Sequence, residues 1–281
     1  MKYKIEKNTV QETLIIPLYA RKVCSELYPN LYQDETAVRL INEIDYDFSE
    51  AEKNSRGLMQ RFGSLEVAMR QNDLAFEVRD YLKGHPNAAV INLGCGLDGT
   101  GRSCDNGSCK IYNLDYPDVI AVRNELLPAG EREENIPCDL NDTAWFSQID
   151  ASGGAVFFAS GVFYYFLTEQ VKALMQAMAD AFPGGALVFD AANRTAVKMI
   201  AKTWLKSAKI KDVGAFSING SSHLTLLLSV PILRKRIPMS ISLRRKKWKT
   251  RSICTICAPA RPSGPICIIW TPSVTRRFGN S

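Results

Sequence analysis

Acidic residues disappear from this chain after Asp212. Residues 213–281 hold twelve lysines or arginines and no aspartate or glutamate, so the formal charge of +6 combines two unlike parts. The first 212 residues carry 23 bases against 29 acids, a mildly acidic body with a +12 tail attached. At roughly one acid in ten residues, an acid-free run of this length arises by chance on the order of once in a thousand. Histidine is almost missing too. His85 precedes the first core strand and His223 lies in the basic tail, neither where a general base is expected; capping or surface roles suit both. There is no long hydrophobic run: Leu224–Leu233 is broken by Pro231 and is too short to span a bilayer. Met1–Val10 is charged and lacks the apolar core of a secretory signal. The eight cysteines form no paired framework, which points to a reducing, cytoplasmic setting. Cys254-x-x-Cys257, with Cys267 as a lone third candidate, has no second pair or histidine at ligand spacing, so no metal site is assigned. With 46% hydrophobic and 23% charged residues, the chain is globular and long enough to bury a sizeable core.

The first third reads as helical. Val10, Leu14, Ile15, Leu18, Val23 and Leu27 recur at helical spacing, with Pro17 predicting a start or kink. Residues 34–45 and 50–62 suit short helices, and 64–83 a longer amphipathic one closed by Gly84-His85-Pro86-Asn87. From there strands and helices alternate: strands at 88–93, 110–114, 135–138, 155–159 and 186–190, and helices at 117–127, 168–182 and 194–207. Thr168 is the expected N-cap of its helix, with Glu169 in the first turn. Ala155–Ala159 is apolar throughout, as in a strand covered on both faces. This alternation predicts an α/β fold, a doubly wound, mostly parallel, Rossmann-like sheet. Residues 1–85 form a helical N-terminal cap, 86–215 the α/β domain and 216–281 the anomalous tail.

The most informative motif joins the first strand to the second. Val90-Ile-Asn-Leu-Gly-Cys-Gly-Leu-Asp-Gly99 runs a β-branched strand into a glycine turn, and Asp115 follows the second strand, 19 positions after Gly96. Glycines let an adenosine-containing cofactor approach the backbone, and a carboxylate grips its ribose hydroxyls. Gly94-x-Gly96-x-x-Gly99 fits a nicotinamide dinucleotide as well as S-adenosyl-L-methionine. Asp98 beside the turn would repel a pyrophosphate but hold the ammonium of a methionine moiety. Cys138-Asp139-Leu140 follows the third strand, where an aspartate can accept from an adenine amino group and a leucine can pack on the ring. Ser160, Tyr164 and Tyr165 follow the fourth strand, at the sheet end where sites gather. There the tyrosines can orient an acceptor or flank a sulfonium, although at least half of the run Phe163–Phe166 is expected in the core.

Five ordered segments then carry a resemblance: Gln11–Arg21, Ile44–Ser49, Asn92–Asp98, Tyr112–Pro117 and Gly161–Phe166. Together they resemble the leucine carboxyl methyltransferase family, in particular its polyketide-synthesis, tetracenomycin-type O-methyltransferases, over roughly residues 10–215. The resemblance implies a methyltransferase using S-adenosyl-L-methionine on a small-molecule acceptor. It implies that Arg70 binds the cofactor carboxylate, that Gly94, Gly96 and Asp98 line its methionine end, that Asp115 takes the ribose, and that Asp139 and Leu140 take the adenine. Two departures stand out. Arg102 is displaced relative to the family's Leu-Asp-Thr-Arg pattern, and Ser160 stands where several members carry glutamate. The acceptor expected from the scarcity of histidine is a carboxylate or acidic hydroxyl.

Beyond about residue 215 the periodicity fades together with the acids. A shift of the coding frame near residues 215–225 accounts for both, and it predicts loss of the last two strands, an exposed sheet edge, poor solubility and impaired activity. The competing readings are a nicotinamide-dependent dehydrogenase and a basic-tail nucleic-acid binder on a catalytically silent scaffold.

Overall fold

The computed structural model describes residues 2–5, 10–55, 57–192, 225–231, 243–248, 251–256 and 268–271. The expected helix at 194–207, His223, Cys257 and Cys267 lie outside them.

The strands of the main sheet are β3 (Ala89–Leu93), β4 (Lys110–Asp115), β5 (Glu133–Pro137), β6 (Ala155–Ala159), β7 (Ala186–Ala192), β8 (Thr225–Pro231), β9 (Leu243–Trp248), β10 (Arg251–Ile256) and β11 (Ile268–Thr271). Their order is β5-β4-β3-β6-β7-β8-β11-β10-β9. The pairs from β5 to β7 are parallel, and those from β7 to β9 antiparallel. The chain leaves β3 toward β4 and β5, then returns to the other side of β3 as β6. The reversal opens a crevice at the carboxyl ends of β3 and β6, the place where open α/β sheets bind ligands.

Every residue of β3 and β6 is buried. Ile91, Leu93, Phe157 and Ala159 face one core with α7 (Thr168–Ala181), while Val90, Val156 and Phe158 face a second core with α4 (Leu58–Gly84). The first core is rich in aromatics: Trp145, Phe146, Phe157 and Phe182 meet mostly edge-on, with Trp145 and Phe182 stacked.

Helices α1 (Val10–Leu27) and α2 (Glu35–Glu43) share a third core with α6 (Pro117–Leu126) and with Leu97 of the glycine turn. Asp34 caps α2 by accepting from the Ala37 N–H at 2.8 Å. Helix α1 continues past Pro17 rather than starting there. Residues 58–84 form one helix, preceded by α3 (Ser49–Ser55), so the break expected near residue 63 is absent; Gly63 is carried inside α4. Residues 44–45 leave the helix expected over 34–45 and form β2 (Ile44–Asp45), paired with β1 (Tyr3–Lys4). Thr168 is not the cap of α7. Leu167 takes that position, its N–H donating to Gln170 Oε1 at 2.8 Å. His85 caps α4, its N–H reaching the Tyr81 carbonyl at 3.2 Å and its ring stacked on Tyr81.

The tail departs from expectation. Its described residues extend the sheet, so β7 does not end in a bare edge: β8 pairs with it antiparallel from Thr225 to Pro231. The sequence of β8 includes the apolar run Leu226–Leu228, a composition that favours strand pairing. The outermost strand, β9, reads Leu-Arg-Arg-Lys-Lys-Trp, and such charge discourages edge-to-edge association.

Arg102 also finds a role. On α5 (Thr100–Ser103) it pairs with Glu133 of β5, Nε to Oε1 at 2.9 Å, and donates to the Pro128 carbonyl. Burial pushes the Glu133 carboxyl up, but the Arg102 bond and the Gly130 N–H outweigh it and hold the pKa below the ordinary glutamate value. A depressed carboxylate stabilises the fold above its unfolded pKa, and that contribution is lost as pH falls through the folded value. Glu133→Gln is therefore expected to lower denaturant stability at pH 7 and to leave it nearly unchanged at pH 3, measured as urea midpoints at both pH values.

Candidate functional site

At the crevice lies a cavity of about 740 Å³. Its wall is built from α1, α4, the turn after β3, the ends of β4 and β5, and the loop after β6. Thr13, Pro17 and Arg21 present one face of α1 to it at intervals of four, while Arg70 and Gln71 come from α4.

The turn is shaped by two glycines at positive φ, +65° at Gly94 and +46° at Gly96. A Cβ on Gly94 would sit 2.6 Å from Val162 Cγ2, so a side chain there is excluded by space as well as by conformation. Two arginines hold the turn. Arg123, 1% exposed on α6, donates through Nη1 to the carbonyls of Gly96 and Asp98, both at 2.8 Å. Arg21 donates through Nη2 to the Leu97 carbonyl at 2.9 Å, while its Nε pairs with Asp34. Three successive carbonyls are thus each held by a guanidinium donor.

Asp115 closes the turn from the next strand. Its Oδ2 accepts from the Gly96 N–H and its Oδ1 from the Tyr116 N–H, both at 2.8 Å. Burial raises its pKa, against the two N–H bonds, which lower it. Asp98 is held through one oxygen only: Oδ1 accepts from Gln71 Nε2 at 2.6 Å, Thr100 N at 2.9 Å and Thr100 Oγ1 at 2.7 Å. Its Oδ2 is buried and has no hydrogen-bond partner among the described residues.

On the opposite side, Asp190 at the end of β7 is 2% exposed and accepts from the Gly161 N–H at 2.6 Å and from Arg70 Nη1 at 2.9 Å. Tyr165 lines the wall beside this pair. Desolvation raises its phenol pKa, Arg70 lowering it and Asp190 raising it.

The structure brings eight of the anticipated site residues together on the wall, Arg70, Gly94, Gly96, Asp98, Asp115, Leu140, Ser160 and Tyr165; the Tyr164 backbone lies in the adjoining 3-10 turn (Phe163–Tyr165). The Tyr164 side chain lies outside the described residues. Asp139 is placed differently. It is exposed, and its Oδ1 accepts from the backbone N–H and Nδ2 of Asn141, both at 2.9 Å. Asn141 reaches the cavity wall instead. Sequence reasoning missed Arg123, Gln71, Asn141 and Asp190. Only Asp190 left a signal, a carboxylate at the carboxyl end of an apolar strand.

The model of one family, leucine carboxyl methyltransferase, matches residues 17–179. The chain belongs to the leucine carboxyl methyltransferase family. Among its relatives is the tetracenomycin polyketide synthesis O-methyltransferase TcmP of Streptomyces glaucescens, 28% identical over 183 residues, covering 65% of this chain and 66% of that protein. Another is the S-adenosyl-L-methionine-dependent methyltransferase dpfgK of Gibberella zeae, 27% identical over 206 residues and 68% of each chain. The chain thus spans about two thirds of the length of these curated relatives. A DUF574 family protein of Streptomyces avermitilis has a similar fold, with a TM-score of 0.50 at 12% identity over 72% of this chain and 78% of its own. In this leucine carboxyl methyltransferase relative, no helix of the described residues is long and apolar enough to cross a membrane, and those residues hold no cluster of three or more metal-ligand side chains.

Arg123→Met is expected to cost about 3 kcal/mol of stability in denaturant titration, because it leaves two carbonyls of the turn without their buried donor.

Proposed function

We propose that the protein moves a methyl group from S-adenosyl-L-methionine to a carboxylate or acidic hydroxyl oxygen of a small molecule. The carrying observation is the cavity wall of this family member: a glycine turn too tight for a side chain at Gly94, facing a fixed Asp115 and a half-paired Asp98. The names of both relatives, one an O-methyltransferase and one S-adenosyl-L-methionine-dependent, support the same reading.

The residues present fit that cofactor. Asp115, locked by two N–H groups, offers its remaining lone pairs to ribose hydroxyls. The unpaired Oδ2 of Asp98 suits an ammonium, and Gly94 and Gly96 line the methionine end. Arg70 is assigned to the methionine carboxylate, its guanidinium oriented by Asp190. Leu140 and Asn141 border the adenine, with Asp139 acting by orienting Asn141. When bound, the cofactor supplies an activated methyl on a sulfonium. The protein then has mainly to align the reacting groups.

Ser160 and Tyr165 are assigned to the acceptor, together with Tyr164 from the same turn. A phenol with a raised pKa stays protonated at neutral pH, so Tyr165 donates a hydrogen bond rather than removing a proton. The described wall residues include no histidine or lysine. An acceptor that arrives ionised, or nearly so, meets that condition.

A dinucleotide suits the site less well. The helix after the turn has only four residues, and Asp98, Asp115 and Asp118 all stand on the wall a pyrophosphate would face. Calorimetric titration of the purified chain with S-adenosylmethionine and with NADH tests the choice. S-adenosylmethionine is expected to bind, and Asp115→Ala to weaken it about tenfold to a hundredfold. Binding of NADH alone would reverse the assignment.

We also infer that the segment from about residue 215 onward derives from a shifted reading frame. The loss of acids at Asp212, the twelve bases that follow and the end of the family resemblance support it. Reading the encoding DNA in its other frames is expected to restore acidic residues there; if neither frame does, the inference fails.

A further inference from the structure

We propose that Gln71 is a positioning residue for cofactor binding, acting through Asp98 and itself oriented by Tyr32. The inference rests on the reading of the cavity as an S-adenosylmethionine site, and goes beyond it by assigning a role to residues of the N-terminal helices.

Three donors converge on Asp98 Oδ1, two from Thr100 within the turn and one, Gln71 Nε2 at 2.6 Å, from helix α4. All three grip the same oxygen. The carboxylate therefore cannot rotate without giving up several bonds, and Oδ2 is kept free of protein donors. Of the three, Gln71 is the one that reaches Asp98 from a distant part of the chain.

The amide of Gln71 can serve only one way round. A carboxylate accepts and never donates, so Nε2 must face Asp98. Tyr32 enforces this orientation from the other end, because its hydroxyl meets Gln71 Oε1. That hydroxyl also lies 3.2 Å from Asp34 Oδ2, but Asp34 is already bound by Arg21 Nε at 2.9 Å and by the Ala37 N–H. Arg21 in turn holds the Leu97 carbonyl of the same turn. The result is a closed ring of contacts, Leu97–Arg21–Asp34–Tyr32–Gln71–Asp98, that leaves the turn and returns to it through three N-terminal segments. Such a ring prepays the ordering that a ligand would otherwise have to impose on Asp98.

The part of the cofactor that meets Asp98 is its amino-acid end, which gives the proposal a selective signature. Calorimetry is carried out on the full chain with two probes: S-adenosylhomocysteine, which has that end, and 5′-methylthioadenosine, which lacks it. Gln71→Ala is expected to weaken S-adenosylhomocysteine about tenfold and 5′-methylthioadenosine less than twofold. Tyr32→Phe, which removes only a hydroxyl, should act in the same sense and more weakly. In an Asp98→Ala background, Gln71→Ala should cost nothing further. Equal losses for the two probes, no loss in either single variant, or an undiminished Gln71 effect without Asp98 would each overturn the proposal. Failure of the parent chain to bind either nucleoside is a different result. It would remove the cofactor reading itself, and it is seen before any substitution is made.

Discussion

Two buried guanidinium groups on three consecutive carbonyls are what the site depends on. Arg123 takes Gly96 and Asp98, and Arg21 takes Leu97 between them. A glycine-rich turn has little conformational preference of its own, since glycine pays the largest entropy cost on ordering. Hydrogen bonds from a charged donor in a poorly solvated setting are strong enough to fix it. With its carbonyls held in this way, the turn directs the Gly96 N–H at Asp115. The carboxylate and the backbone then define each other's position, and the neighbouring Asp98 follows.

The same contacts explain why the N-terminal helices cannot be regarded as an addition to a finished sheet. Arg21 of α1 and Gln71 of α4 bond residues 97 and 98, and Asp34, the cap of α2, holds Arg21. The apolar faces of α1 and α2 merge with α6 in one core, and the C-terminal half of α4 packs Leu74, Val78 and Leu82 on the sheet. Removing the helices would therefore expose the core and release the turn together.

What the sequence disclosed, and what it hid, follows from the range of the forces involved. Strands β3 and β6 were legible because burial on both faces demands an unbroken apolar run. Asp115 was legible because strand length and turn length fix its distance along the chain from Gly96. Arg123 was not, for it lies among α6 residues such as Asp118, Asn124 and Glu125, where an arginine reads as solvated, and only the tertiary fold brings carbonyls to it. The cap of α7 misled for a local reason: Thr168 is a better capping residue by type, but Gln170 reaches back to Leu167. Asp139 and Asn141 stand two positions apart in a turn, where a small backbone rotation decides which side chain faces inward. In the tail, composition indicated what was missing, but an apolar run as short as Leu226–Leu228 still found a ladder to join.

Asp190 has a mechanical meaning beyond its charge. One carboxylate fastens the loop after β6, through Gly161, to a guanidinium carried by α4. The loop that floors the cavity and the helix that carries Arg70 are therefore coupled like two leaves on one hinge pin.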